Sequence, residues 1–398
     1  MRIDRRSIMR YKIVFRRLER ADIVILNLHL SPFVEECVKG LNYSTIDLQK
    51  PRIFLNLRFL WKIVRTLPQT SKLAAWVVAF TYASNASVLL TMDNFDNSNH
   101  QPGQASLLEE VSKVLKSCRI FSIQHGQELR RMPTNRDRKD VTLLCWGDWA
   151  RENFPKFGRN EARLVPVGAL VNDLYLRIRP DVSIKHHVLF VSTVKDESWW
   201  GQSIGERREG YELLASYLRR FCEKFELRPT IALTIDRDHN PDLREDELER
   251  EWFESRFSGN VEFSHPGSLF GRSGDGEQGD RAPKYRKERY ATYFASDCSR
   301  ITIGMSSTVL WESFARGNRI LSVNLTSNES FDFPIHGTWS LSKPSYEEFE
   351  RRVRDIIEMT DEDWNRVSLG PRRFLVRQEV GKTSIDLIRA EIMREIKI

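Results

Sequence analysis

The stretch SDCSRITIGMSSTVLWESFARGNRILSV, residues 296–323, is the part of the sequence that decides the fold. It opens with a short apolar strand over 301–303 and passes through Gly304 into the hydroxyl run Ser306, Ser307 and Thr308. Val309, Leu310, Phe314 and Ala315 then fall at helical spacing. Gly317 stands where a left-handed residue ends a helix at little cost, and 319–323 reads as a second buried strand. Strand, hydroxyl-bearing loop, helix and strand make a βαβ unit, and the start of its helix presents unpaired backbone N–H groups to an anion. Ser306, Ser307 and Thr308 add small hydroxyl donors where a phosphate would sit. Glu312, about one helical turn further in, could take the two hydroxyls of a ribose. Ser and Thr are also ordinary helix N-caps, but Glu312 and the short helix stopped by Gly317 favour a nucleotide site.

Working outward, strands and helices alternate through both halves of the chain. Residues 21–28, ADIVILNL, form a nearly continuous apolar run, as expected of a strand covered on both faces. Further strands are expected over 87–92, 120–123, 141–146 and 163–167, with helices over 57–66, 73–82, 105–116 and 149–154 between them. The rhythm restarts with strands at 188–192, 230–235 and 261–263 and helices at 211–225, 245–257 and 288–295, and closes with helices over 346–358 and 384–397. The expected fold class is α/β, each half a mostly parallel, doubly wound sheet. Residues 171–185 show little periodicity and contain Pro180, which marks them as the inter-domain connection. The expected division is 1–180, 181–370 and a closing helix in 371–398. Residues 268–287, rich in Gly, Asp and Arg, read as a loop over the site.

A chain of 398 residues is comfortable for two domains. With 40% hydrophobic and 29% charged residues, each half can bury a core. The net charge of +7 suits an anionic partner. Its densest basic part, MRIDRRSIMRYKIVFRRLER at 1–20, is either a solvated face or an edge lying on anionic headgroups. No signal peptide is read at the N-terminus, and the longest apolar segment, 73–82, is too short to span a bilayer. A cytoplasmic protein is expected, peripheral on the inner face of the membrane at most. The five cysteines are dispersed without C-x-x-C spacing, which points to free thiols in a reducing compartment.

Ligands bind beyond the carboxyl ends of parallel strands, and three polar clusters fall there. Asp93 and Asp96 follow one strand, Gln124 to Glu128 follow another, and His265 with Pro266 precedes the serine loop. If the halves face each other, these clusters line one cleft. The imidazole of His125, next to the permissive Gly126, can accept a proton from an attacking hydroxyl near neutral pH; Asp93, Asp96 and Glu128 are the carboxylate alternatives. A turn residue satisfied by backbone is the plain structural role for His125, and Asp-Asn turn chemistry the plain one for Asp93. Basic residues Arg272, Arg281, Lys284, Arg286 and Lys287 could close on a pyrophosphate. His29, His239 and His336 have no ligand spacing, so no metal site is expected. Neither a Walker A sequence nor a G-x-G-x-x-G fingerprint is present, which disfavours kinases and dehydrogenases.

On these residues the chain resembles GT-B type transferases of bacterial surface-polysaccharide synthesis. SIQHGQELRRM at 122–132 and ITIGMSSTVLWESFARGNRIL at 301–321 are similar to the His-Gly and paired-serine segments of CDP-glycerol glycerophosphotransferases and their capsule relatives. The pairing of His265-Pro266 with Ser306-Ser307 resembles the two motifs with which sialyltransferases and some Kdo transferases hold CMP. CWGDWARENFPKFGRNEARLVPVGAL at 145–170 resembles the end of the N-terminal domain in such proteins. The resemblance implies two Rossmann-like domains facing each other across a cleft, with the closing helix crossing back to the first. It also implies a nucleotide sugar, CMP- or UDP-linked, as donor, a glycan or lipid-linked glycan as acceptor, and no fixed metal. His125 matches the base, Ser306 and Ser307 the phosphate ligands, and His265 a nucleotide contact. The chain departs from the glycerophosphotransferases in carrying Gly304 and Met305 where Asp-Tyr is usual, and it lacks the Asp/Glu-Asp-Gly of the sialyltransferases. The expected function is glycosyl transfer. The alternatives are CDP-polyol phosphotransfer, nucleotide-sugar epimerisation, and, from another class, a non-catalytic basic protein binding membrane or nucleic acid.

Overall fold

Short runs of Val, Ile and Leu, most of them followed by a helix that covers one face, give parallel rather than antiparallel sheets. The computed structural model describes residues 12–14, 18–27, 31–47, 52–54, 56–92, 107–126, 136–193, 204–233, 245–264 and 290–396. These divide into two units: one holds the described residues up to Leu174 together with Val376 onward, and the other holds Tyr175–Leu375.

The strands of the first unit are β1 (Lys12–Val14), β2 (Ile23–Asn27), β3 (Tyr43–Asp47), β4 (Arg52–Phe54), β5 (Val88–Thr91), β6 (Arg119–Ile123), β7 (Arg136–Cys145) and β8 (Arg159–Pro166). Its helices before the division are α1 (Ser31–Val38), α2 (Leu57–Thr66), α3 (Lys72–Ala83), α4 (Leu107–Val114), α5 (Asp148–Asn153) and the start of α6 (Leu170–Ile178). Six strands form one parallel sheet in the order β3-β2-β5-β6-β7-β8, and β1 pairs parallel with β4 beside it. Val88, Leu89 and Leu90 are fully buried, as their unbroken apolar run requires. The core on one side of the sheet joins Leu89 and Ile120 to Trp76, Val77 and Phe80 of α3 and to Leu108 and Val111 of α4.

The second unit has β9 (His186–Val191), α7 (Ile204–Lys224), β10 (Thr230–Ala232), α8 (Glu245–Arg256), β11 (Glu262–Ser264), α9 (Ala291–Asp297), β12 (Ser299–Gly304), α10 (Thr308–Arg316), β13 (Ile320–Asn324), β14 (Ser340–Ser342), α11 (Tyr346–Glu358) and α12 (Asp361–Leu375). Its sheet is parallel too, in the order β11-β10-β9-β12-β13-β14. The last helix, α13 (Ser384–Glu395), starts with a reciprocal capping box between Thr383 and Asp386 and belongs to the first unit. There Ser384 N–H donates to Asp173, and Arg163 pairs with Glu391 at 3.1 Å.

The division between the units falls within residues 171–185, and those residues begin as helix α6. Leu170, Asn172 and Tyr175 are buried, but two of these three side chains are polar at one end, so the buried stripe does not stand out as apolar periodicity. Tyr175 is held by a hydrogen bond to Asp297 rather than by apolar contact alone.

Candidate functional site

In the second sheet β9, β10 and β11 run outward to one side and β12, β13 and β14 to the other, so the winding reverses between β9 and β12. In an open parallel sheet the crevice for ligands lies outside the carboxyl ends of the strands at that reversal. The register sets Val191 of β9 beside Gly304 of β12. Two residues beyond each lie Thr193 and Ser306, leaving adjacent strands side by side. Gly304 is needed for the close approach: a Cβ there would stand 3.1 Å from the Val191 carbonyl oxygen and 3.4 Å from Leu310 Cδ1.

The loop after β12 is tightly wound. Ser306 has φ of 52°, a left-handed conformation that a residue with a Cβ seldom adopts. Ser307 is the N-cap of α10, extended at φ −110° and ψ 136°, with its carbonyl accepting from Leu310 N–H at 3.1 Å. An N-cap serine ordinarily turns its hydroxyl onto the N–H of the second or third helical residue. Ser307 makes no such side-chain bond although it is only 8% exposed. Its neighbour Thr308 is half-buried.

Across the reversal, Thr193 Oγ1 is buried and has no hydrogen-bond partner. The loop carrying it is nonetheless firmly set. Thr193 N–H donates to Tyr211 Oη at 2.9 Å, Tyr211 Oη donates to the Val191 carbonyl at 3.2 Å, and Ser192 Oγ donates to the buried Glu249. Ser264 at the end of β11, in register with Ala232 and through it with Val191, likewise has a buried Oγ without a partner. Two buried hydroxyls thus stand unused along one edge of the sheet, besides the Ser307 hydroxyl, which makes no cap bond. A buried hydroxyl left unsatisfied costs about 1–3 kcal/mol, a cost that an oxyanion placed there would remove. Thr193 and Ser264 belong to no motif; the signal for them is register, which sequence spacing does not supply.

Helix α10 is clamped so that its N-terminus is fixed in place. On its apolar side Phe314 packs on Trp339 at 4.6 Å, Phe333 at 5.5 Å and Trp364 at 6.2 Å between ring centroids. Trp364 Nε1 donates to the carbonyl of Gly317 at 2.8 Å, and Gly317, at φ 100°, holds the left-handed conformation that ends the helix, with the Arg372 guanidinium lying where a Cβ would stand. On its polar side Arg316 and Asp297 form an ion pair at 2.8 Å with side chains 1% and 2% exposed. Asp297 also accepts from Tyr175 Oη at 2.8 Å and Asn318 Nδ2 at 2.6 Å. Buried charges are tolerated when paired and hydrogen-bonded in this way.

Glu312 corrects the sequence reading. Its side chain is fully buried and receives the hydroxyl of Tyr293, so it is turned into the unit and not towards a ribose. Burial, with the Glu312 carboxylate next, holds the Tyr293 phenol well above its ordinary range. Helical spacing alone does not say which side of α10 faces inward, and here the polar side is buried as well as the apolar one.

In the first unit, β6 delivers Gln124, His125 and Gly126. Gln124 is buried and locks the turn: its N–H donates to the Leu144 carbonyl at 2.9 Å and its Nε2 to the Gly126 carbonyl at 2.9 Å. Its Oε1 accepts from Trp146 N–H at 2.9 Å, and its carbonyl from Trp146 Nε1 at 3.0 Å. His125 therefore sits exposed on a fixed turn at the carboxyl end of the sheet. Asp93, Asp96, Glu128, His265, Pro266 and the basic residues of 268–287 lie outside the described residues. Among the described residues no group of three or more His, Cys, Asp or Glu could hold a metal ion, and no helix is long and apolar enough to cross a membrane. The five cysteines are free and buried, with burial pushing the thiols of Cys118, Cys145 and Cys222 up to about 12.

No protein-family model and no curated protein matches the chain by sequence. Solved structures match its fold. A sucrose-phosphate synthase from Thermosynechococcus elongatus aligns with a TM-score of 0.50 at 13% identity, over 94% of this chain and 99% of the other. A glycosyltransferase from Rickettsia africae ESF-5 gives 0.49 at 11% identity, over 94% and 97%. The wall teichoic acid polymerase TagF gives 0.47 at 10% identity, over 95% and 91%. With two parallel six-stranded sheets, each flanked by helices, the chain has the two-unit α/β architecture of the GT-B type.

Proposed function

We propose that the chain is an enzyme that transfers a glycosyl group from a nucleotide-activated donor, CMP- or UDP-linked, to a surface polysaccharide or lipid-linked glycan. The observation that carries this reading is Ser307, a residue only 8% exposed at a helix N-terminus whose hydroxyl is not used as a cap. Thr193 Oγ1 and Ser264 Oγ, unpartnered along the same sheet edge, support it. Hydroxyl donors, backbone N–H groups and the positive end of a helix together suit a phosphate. The likeness of 122–132 and 301–321 to transferase segments adds the class of donor.

In this reading the acceptor hydroxyl gives its proton to His125, or to Asp93 or Glu128, as its oxygen attacks the anomeric carbon. The bond from that carbon to the donor's phosphate oxygen breaks, and its electron pair stays on the phosphate. Ser306, Ser307, Thr308 and Thr193 meet the charge that develops there, together with the first N–H groups of α10. His265 and Pro266 are assigned to the nucleoside on resemblance. Glu312 is assigned to holding Tyr293 and the helix, not to the ribose.

Thermal denaturation with CMP, CDP, UDP and GDP at millimolar concentration tests the reading. A nucleotide at a hundred times its Kd adds about 2.7 kcal/mol, roughly 5–10 °C for a unit of this size. Stabilisation by one base class, absent with the matching nucleoside, is the expected result; no shift with any of them would end the proposal. Product analysis with labelled donors then separates glycosyl transfer from polyol-phosphate transfer and from epimerisation.

A further inference from the structure

Helix α2, LRFLWKIVRT, has three sides where a surface helix of a folded protein needs two. At 100° per residue, Phe59, Ile63 and Thr66 share one side. Phe59 and Thr66 are buried there and Ile63 packs on the core, with Phe59 edge-on to Phe54 at 6.0 Å. Arg58, Lys62 and Arg65 share a second side. Leu57, Leu60, Trp61 and Val64, with Leu67 at the C-cap, share a third arc of roughly 120°. That third side is in solvent: Leu57 is 87% exposed, Val64 69% and Trp61 51%. Singly exposed apolar side chains are ordinary, but five on one contiguous face mark an interaction surface.

Charge identifies what covers it. Between Asp47 and Asp93 the sequence contains six Lys or Arg residues and no Asp or Glu. The exposed aromatics are interleaved with the cations. Trp61 lies 6.4 Å from Tyr82, itself exposed on α3, with Arg65 over the Trp61 ring at 5.1 Å and Lys62 over the Tyr82 ring at 4.8 Å. Trp and Tyr at the boundary between an apolar face and a basic one match the headgroup level of a bilayer, where an amphipathic helix lies flat. A helix of 10 residues is about 15 Å long, and one face of it falls far short of the ~800 Å² per partner that a stable protein interface buries. We propose that the face formed by Leu57, Leu60, Trp61, Val64 and Leu67, with Arg58, Lys62 and Arg65 beside it, docks the protein on an anionic lipid bilayer.

The test is flotation of the full chain with vesicles of phosphatidylcholine alone and with a third phosphatidylglycerol, at low and high salt. The wild type is expected to float with the anionic vesicles and to be released by high salt. The apolar variant Leu57→Ser/Trp61→Ser/Val64→Ser should bind at least about tenfold more weakly, since binding scales with the apolar area inserted. The charge variant Arg58→Gln/Lys62→Gln/Arg65→Gln should lose on the order of a hundredfold, about fivefold for each charge near the surface. All six positions are substituted on the outside of the helix, and an unchanged circular dichroism melt verifies the fold. No flotation of the wild type with anionic vesicles overturns the proposal. So does wild-type binding that persists in both variants, which would move the contact to the basic first twenty residues. A dimer in solution that the apolar variant dissociates, without lipid binding, overturns it in favour of a second copy.

Discussion

Replacing Ser307 with alanine separates a helix cap from a phosphate ligand, because the two roles predict opposite results. An N-cap serine that bonds to its helix costs about 1 kcal/mol when truncated, and in a unit of roughly 200 residues that lowers Tm by about 2–4 °C. Ser307 makes no such bond, so Ser307→Ala should melt within about 1 °C of the wild type. A hydroxyl donating to a charged oxygen is worth about 1.5–3 kcal/mol, which converts to a 10- to 150-fold weaker Kd for the nucleotide. Isothermal titration with the nucleotide that stabilises the wild type gives the affinity, and calorimetry of the free protein gives Tm. A drop in Tm of several degrees with unchanged affinity would refute the reasoning and return Ser307 to the role of a cap.

Thr193→Val keeps the shape and removes an unpartnered hydroxyl; it should raise the stability of the free protein by about 1 kcal/mol while weakening nucleotide binding, both measurable in one set of denaturation curves. His125→Ala should lower turnover by about 10²–10⁴ and leave Tm unmoved, since the ring is exposed; undiminished turnover would remove it as the base. Arg316→Met removes the buried ion-pair partner of Asp297 and leaves it the half-exposed Arg179 at 3.3 Å, so it should cost about 3 kcal/mol, the low end for a broken buried pair, in a urea titration. Tyr175 and Tyr293 are both raised above the ordinary phenol value of 10.0, by burial first and then by Asp297 and Glu312 respectively. Their contribution is full below pH 10 and is lost as pH rises beyond it, where the unfolded chain gives up the protons more readily. Melts from pH 8 to 11 should fall steeply for the wild type and less so for Tyr293→Phe.

Much of this was legible in the sequence because burial on both faces leaves a plain trace. ADIVILNL and SVLLTM each contain a central strand, and Tyr346–Glu358 begins and ends where its Ser345 cap and apolar spacing say it should. Other elements hid. Helix α12 contains Pro371, a residue that normally argues against a helix interior, and β3, YSTID, lies at the sheet edge with little apolar content. In the site, the hydroxyl run announced itself, whereas Thr193 and Ser264 did not, because an isolated Ser or Thr is commonplace. Only the pairing of β9 with β12 and of β10 with β11 sets them on the same edge. The inward turn of Glu312 depended on Tyr293, a partner 19 positions away that no local pattern names.

The tight fit at Gly304 constrains how this loop can vary. An aspartate there, as in the glycerophosphotransferases that the segment resembles, would set a carboxylate against the Val191 carbonyl oxygen and the Leu310 methyl. Placing Asp-Tyr at 304 and 305 would make β9 or the Leu310 side chain at the start of α10 give way by a few tenths of an ångström. Exchange between the two versions of the loop therefore calls for a small shift of β9 or a smaller side chain at position 310, because the Val191 carbonyl oxygen is backbone and stays whatever residue stands there.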